Sequence, residues 1–156
     1  MKRASNLFPQ ILEWDNLRNA TWRAAKGKRH RSEVVAFQAD CDAHLHRIQE
    51  QLADHSFPFA RYTQFPIRDP KPRIITAPGF PQRVVHHAVV RVCESYFERF
   101  LIDETYACRQ KKGRIAAMDR AHRFSRQFRW YLKMDIRSFF ASVSHEILLE
   151  RLARRF

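Results

Sequence analysis

The chain has 156 residues, 45 % of them apolar, enough to build a folded core and too many for a disordered tail. Its 29 Lys and Arg against 16 Asp and Glu give a formal charge of +13, a field that gathers polyanions and favours nucleic acid, with a solvated basic surface or an anionic membrane as the alternatives. No apolar run approaches a membrane span, no apolar signal region follows the basic N-terminus, and Cys41, Cys93 and Cys108 lie too far apart for a zinc site, so they read as buried thiols of a reducing cytoplasm.

Residues 5 to 25 are expected as one helix, capped by Ser5 or Asn6, with Leu7, Ile11, Trp14, Leu17 and Trp22 at helical spacing, and Gly27 breaks it. Lys26, Lys28, Arg29, His30 and Arg31 form a basic joint that is either a phosphate clamp or a solvated loop. From Ser32, the residues Val34, Phe37, Cys41, Leu45, Ile48 and Leu52 step by three or four and predict a second amphipathic helix. His44 and His46 flank that stripe two residues apart, do not share a face, and read as ordinary surface histidines.

Phe57-Pro58 ends that helix, and Phe59 to Ile67, Arg68-Asp69-Pro70 and Lys71 to Ala77 predict strand, turn and returning strand. On a strand, Lys71 and Arg73 project from one face, so they either meet one triphosphate together or are the protective charges of an exposed edge. After Pro78-Gly79, the residues Val85, Ala88, Val89, Val92, Tyr96 and Phe100 predict a helix from Pro81. In it the adjacent His86 and His87 diverge by about 100°, one packed and the other facing solvent or template. A further helix is expected from about Arg114 to Phe128, and Ser144 caps a last one carrying Ile147, Leu148 and Leu152.

Between those two helices, alternation places Trp130, Leu132, Met134 and Ile136 on one strand face and Tyr131, Lys133 and Asp135 on the other. A carboxylate ending such a strand suits a metal site facing a cleft, and equally suits the cap of a turn.

The segment Lys133-x-Asp135-Ile136-x-x-Phe139-Phe140-x-Ser142-Val143-x-His145 resembles motif A of reverse transcriptases, especially bacterial and phage retroelement enzymes. Further blocks of that family stand upstream in the same order: the Lys71 to Ile75 hairpin, Arg83 to Ala88, and Thr105 to Arg109 with Lys112-Gly113. The last of these is most similar to the diversity-generating type, except that Arg114 stands where relatives have a Thr able to cap the helix.

The resemblance implies an α+β right-hand polymerase, incomplete in this chain: an N-terminal helical region over 1–56, fingers over 57–128, and the start of the palm over 129–156. It implies an RNA-directed DNA polymerase that extends a primer into cDNA on a retroelement template RNA, using dNTPs, two Mg2+ ions (Mn2+ as a substitute) and a small basic accessory protein as partner. Carried over residue by residue, Asp135 and the Ile136 carbonyl hold metal, and Lys71 and Arg73 hold the nucleotide's phosphates. Phe140 excludes a 2′-hydroxyl, and Arg83, Tyr106, Arg109 and Lys112 lie along the template path. Two-metal transfer needs several carboxylates, and the family's Tyr-x-Asp-Asp motif occurs nowhere in this sequence. The chain alone is therefore expected to be inactive, as part of a longer enzyme, one half of a split one, or a non-catalytic RNA- or DNA-binding remnant.

Overall fold

The computed structural model describes residues 4–59 and 62–156. Ala60 and Arg61, within the expected strand from Phe59, and residues 1–3 of the expected N-terminal region lie outside the described residues. The chain is mixed α+β: helices α1 (Leu7–Leu12), α2 (Trp14–Ala25), α3 (Ser32–Ala39) and α4 (Cys41–Ala53), strands β1 (Tyr62–Arg68) and β2 (Pro72–Pro78), then α5 (Phe80–Glu98), α6 (Arg114–Gln127), α7 (Phe139–Ser142) and α8 (His145–Ala153). It forms two compact units, Asn6–Ser95, and Tyr96–Phe156 with Ala4 and Ser5. Among the described residues no helix is long and apolar enough to cross a membrane.

The N-terminal unit holds the core. Leu17, Val34, Leu45, Val84 and Val85 are fully buried and cluster with Phe37, Ile48, Leu52, Phe57 and Phe80, Phe37 meeting Phe80 edge to face at 5.0 Å. This apolar burial is what draws α2, α3, α4 and α5 together.

Both expected long helices are broken. The first is interrupted at Glu13 and the second at Asp40. Neither break contains Gly or Pro, and at the first, side chains satisfy backbone carbonyls that the helix no longer pairs. Asn16 Nδ2 donates to the Ile11 carbonyl at 3.1 Å and Gln49 Nε2 to the Leu12 carbonyl at 2.7 Å. At the second break the Asp40 carbonyl accepts from the His44 amide at 3.1 Å and from its ring Nδ1 at 2.7 Å. His44 stacks on Phe37 at 4.8 Å and His46 on Trp14 at 4.4 Å. His46 is exposed, as its reading as a surface histidine expects, and His44 is half-buried; beyond that reading, each ring packs on an aromatic side chain.

Of the three cysteines expected as buried thiols, Cys93 is buried, whereas Cys41 is half-buried at the start of α4 and Cys108 is exposed at φ 57° in a loop. Burial raises the Cys93 thiol, and does the same for Cys41 with help from Asp42 and Asp40.

The Tyr96–Phe156 unit has no buried core: none of its described residues is buried. It is tied by Phe156 against Phe97 (5.3 Å) and Tyr96 (6.4 Å), Arg155 over the Phe100 ring (4.3 Å), and the Arg120–Glu104 pair (2.6 Å).

Candidate nucleic-acid interface

Strands β1 and β2 pair antiparallel from Tyr62↔Pro78 to Arg68↔Pro72, as the alternation and the Asp69-Pro70 turn predict. The hairpin is an arm. None of its strand residues is buried and most are exposed, and at its base Gln82 Nε2 donates to the Tyr62 hydroxyl at 3.0 Å. Lys71 sits in the turn, one residue ahead of β2, and Arg73 is the second residue of that strand, so the two cations share the hairpin tip. Lys71 and Arg73 are exposed, and neither has an ion-pair partner among the described residues.

On α5, His86 is exposed and His87 half-buried, the division expected of adjacent helical residues. Burial pushes the His87 imidazole below its usual range, and the charges of Arg23, His86, Lys28 and Arg83 push the same way. Arg83 is held rather than free: it bonds Glu33 at 2.5 Å, lies 5.5 Å from the Phe80 ring centre, and buries its Nε without an acceptor among the described residues. Nothing in the sequence signals that pair, whose partners stand fifty residues apart.

In the other unit, Tyr106, Arg109 and Lys112 share one loop. The Lys112 ammonium lies 5.4 Å from the Tyr106 ring centre and donates to the Asp103 carbonyl. All three guanidinium nitrogens of Arg109 bond within the loop and to Glu98. Gly113, at φ 110°, precedes α6 with no side-chain cap, in keeping with Arg114 standing where a capping Thr is absent.

Residues 130–136 form no strand, which corrects the expected palm strand. The alternation is present, but a strand needs a neighbouring edge to take its N–H and C=O groups, and β1–β2 is the sheet among the described residues. Trp130, Tyr131 and Leu132 are 89 %, 93 % and 79 % exposed. Asp135 is exposed, its carboxylate accepting the amide of the next residue, Ile136, at 3.0 Å. Phe140 begins α7 with Phe139, their rings 5.3 Å apart and edge to face, and is 90 % exposed. Ser144 caps α8 as expected, accepting from the Ile147 amide at 3.3 Å and donating to Glu146 at 2.7 Å.

Among the described residues no three His, Cys, Asp or Glu side chains converge on one point. Asp135 and the Ile136 carbonyl offer one carboxylate and one carbonyl oxygen, whereas Mg2+ demands octahedral oxygen ligation and a two-metal site demands bridging carboxylates. These residues alone do not fit a magnesium pair. What the structure does present is positive charge on exposed, structured elements: the hairpin tip in one unit, and the α2–α3 joint facing His87 in the same unit.

No family model matches this chain, and no curated protein matches it.

Proposed function

We propose that this chain supplies the nucleotide- and template-handling part of an RNA-directed DNA polymerase of the retroelement reverse transcriptase kind, of the diversity-generating type. The observation that carries the reading is the hairpin arm, whose tip holds Lys71 and Arg73 exposed and unpaired among the described residues. Both cations are available to a triphosphate, and Arg73 is able to take two phosphate oxygens at once. In this reading Asp135 is one member of a carboxylate set completed by residues of another polypeptide segment. Phe140, projecting into solvent, is a side chain able to meet a nucleotide sugar and exclude a 2′-hydroxyl by clash.

The test is deoxynucleotide incorporation on an RNA template with an annealed DNA primer, by the chain combined with the polypeptide encoded next to it. Incorporation that falls to background in Asp135→Asn is the expected result; incorporation indifferent to that change overturns the reading. The chain alone is expected to extend nothing.

A second reading has its own support in the formal charge of +13, which gathers polyanions whether or not the chain catalyses. The chain is then a non-catalytic nucleic-acid-binding module. Under that reading the combined polypeptides bind template and never incorporate nucleotide.

A further inference from the structure

From Asn16 to Ser32 the sequence holds no acid, while Arg18, Arg23, Lys26, Lys28, Arg29 and Arg31 all fall within it. In the structure none of these six has an ion-pair partner among the described residues. The fold then adds to them. Asn16 Nδ2 donates to the Ala88 carbonyl at 3.1 Å and Arg91 donates to Asn16 at 3.0 Å, locking α2 along α5. This packing brings Arg23 and Lys28 close enough to His87 for their charges to act on it, beside His86 and Arg83. Glu33, the first acid after the joint, is already occupied by Arg83.

Beside these cations stands an aromatic that the core does not use. Trp22 is 54 % exposed, with the Lys26 ammonium 5.8 Å from its ring centre. Residues 22–31 expose no aliphatic side chain, since Ala24 and Ala25 are buried. A membrane-binding face needs a broad apolar surface to insert, and residues 22–31 offer the Trp22 indole alone. Paired bases keep their faces inside a duplex, whereas a single strand offers both phosphates and open base faces.

We propose that the C-terminal turn of α2, the Lys26–Arg31 joint and the His86–His87 edge of α5 form a binding surface for single-stranded nucleic acid. Trp22 stacks an unpaired base while Arg23 and Lys28 take the neighbouring phosphates. The surface does not depend on Asp135 or on polymerase activity, and Asp135→Asn leaves it unchanged.

The experiment is fluorescence anisotropy of labelled twelve-nucleotide oligo(U), oligo(dT) and a duplex of the same length, titrated with the full chain across a salt series. The paired change Arg23→Gln with Lys28→Gln is expected to weaken single-strand binding about tenfold near 0.1 M salt. It should also lower the slope of log K against log salt by about 1.4, because two phosphates are no longer neutralised. Trp22→Ala is expected to weaken binding about tenfold with the slope unchanged, and Trp22→Phe to recover most of the loss. None of the three side chains is buried, and circular dichroism verifies that each variant folds. Tighter binding of either oligonucleotide than of the duplex supports the proposal and identifies the preferred sugar. Unchanged affinity and slope in the paired variant overturns it, as does duplex binding equal to single-strand binding. Capture of phosphatidylglycerol vesicles through these same residues, without oligonucleotide binding, also overturns it.

Discussion

Arg109 grips Glu98 in a fork: its Nε lies 3.0 Å from both carboxylate oxygens and Nη2 2.6 Å from one of them. Its Nη1 donates to the Ile102 carbonyl at 2.8 Å and to the Thr105 hydroxyl at 2.6 Å, so one side chain ties the end of α5 to the loop behind it. Lysine has no such planar fork. Arg109→Lys is therefore expected to speed amide exchange several-fold across residues 99–112 while exchange in α2 and α4 stays as it was. Hydrogen exchange read by mass spectrometry checks both halves of that statement.

The same pair sets a pH dependence. The hydrogen bond from Arg109 holds the Glu98 carboxyl below its usual range. A depressed carboxyl stabilises the loop fully above the unfolded pKa, about 4.3, and the contribution is lost as pH falls through the folded value. Corrected for the intrinsic pH dependence of amide exchange, loop protection in the wild type should fall as pH drops through that lower value, and in Glu98→Gln this acid-dependent loss should be absent.

His87 gives a second dependence at higher pH. Burial and its four positive neighbours disfavour the imidazolium in the folded chain, so between the folded and unfolded pKa values the unfolded chain binds more protons. Stability is then full above the unfolded value, about 6.5, and declines as pH falls through the lower, folded one. Urea midpoints from pH 7.5 down to 5 should show this decline, and His87→Gln should flatten it. A bound oligonucleotide should oppose the decline, because phosphate favours the protonated ring.

Asn16 is buried and fully engaged, donating to the Ile11 and Ala88 carbonyls and accepting from Arg91. Asn16→Ala leaves two carbonyls and one guanidinium N–H without this partner, at an expected cost of about 1–3 kcal/mol. The denaturation midpoint measures it. A midpoint equal to wild type would mean that the α1–α2 break and the α2–α5 seam are held by apolar packing alone.

What the sequence made legible was local. The hairpin is written in alternation plus a turn, and helices α4, α5 and α6 in three- and four-residue steps. The break at Glu13 was hidden because one of its stabilisers is a side chain elsewhere, Gln49 reaching back thirty-seven residues to Leu12, while at Asp40 the His44 ring bonds back four residues to a carbonyl that apolar spacing does not mark. The same holds for the candidate site. Lys71 and Arg73 were visible as charges near a turn, but that Arg83 and Arg109 are committed to Glu33 and Glu98 depends on contacts no spacing rule contains. Residues 130–136 show the converse, a readable strand pattern without the partner edge that would make it a strand.

That segment yields the sharpest contrast between two leucines. Leu17 is fully buried and Leu132 is 79 % exposed, though both occupy strongly apolar sequence positions. Leu17→Ala empties a packed site and is expected to cost about 2–5 kcal/mol. Leu132→Lys removes no core contact and should shift stability by no more than about 0.5 kcal/mol. Because an exposed apolar strand pattern favours self-association, the same Leu132→Lys change should raise the concentration at which the chain aggregates. Chemical denaturation and light scattering on the two variants separate these effects. If Leu132→Lys destabilised the chain as Leu17→Ala does, the 130–136 segment would be packed in solution, and its exposed apolar face would no longer mark a surface awaiting another strand.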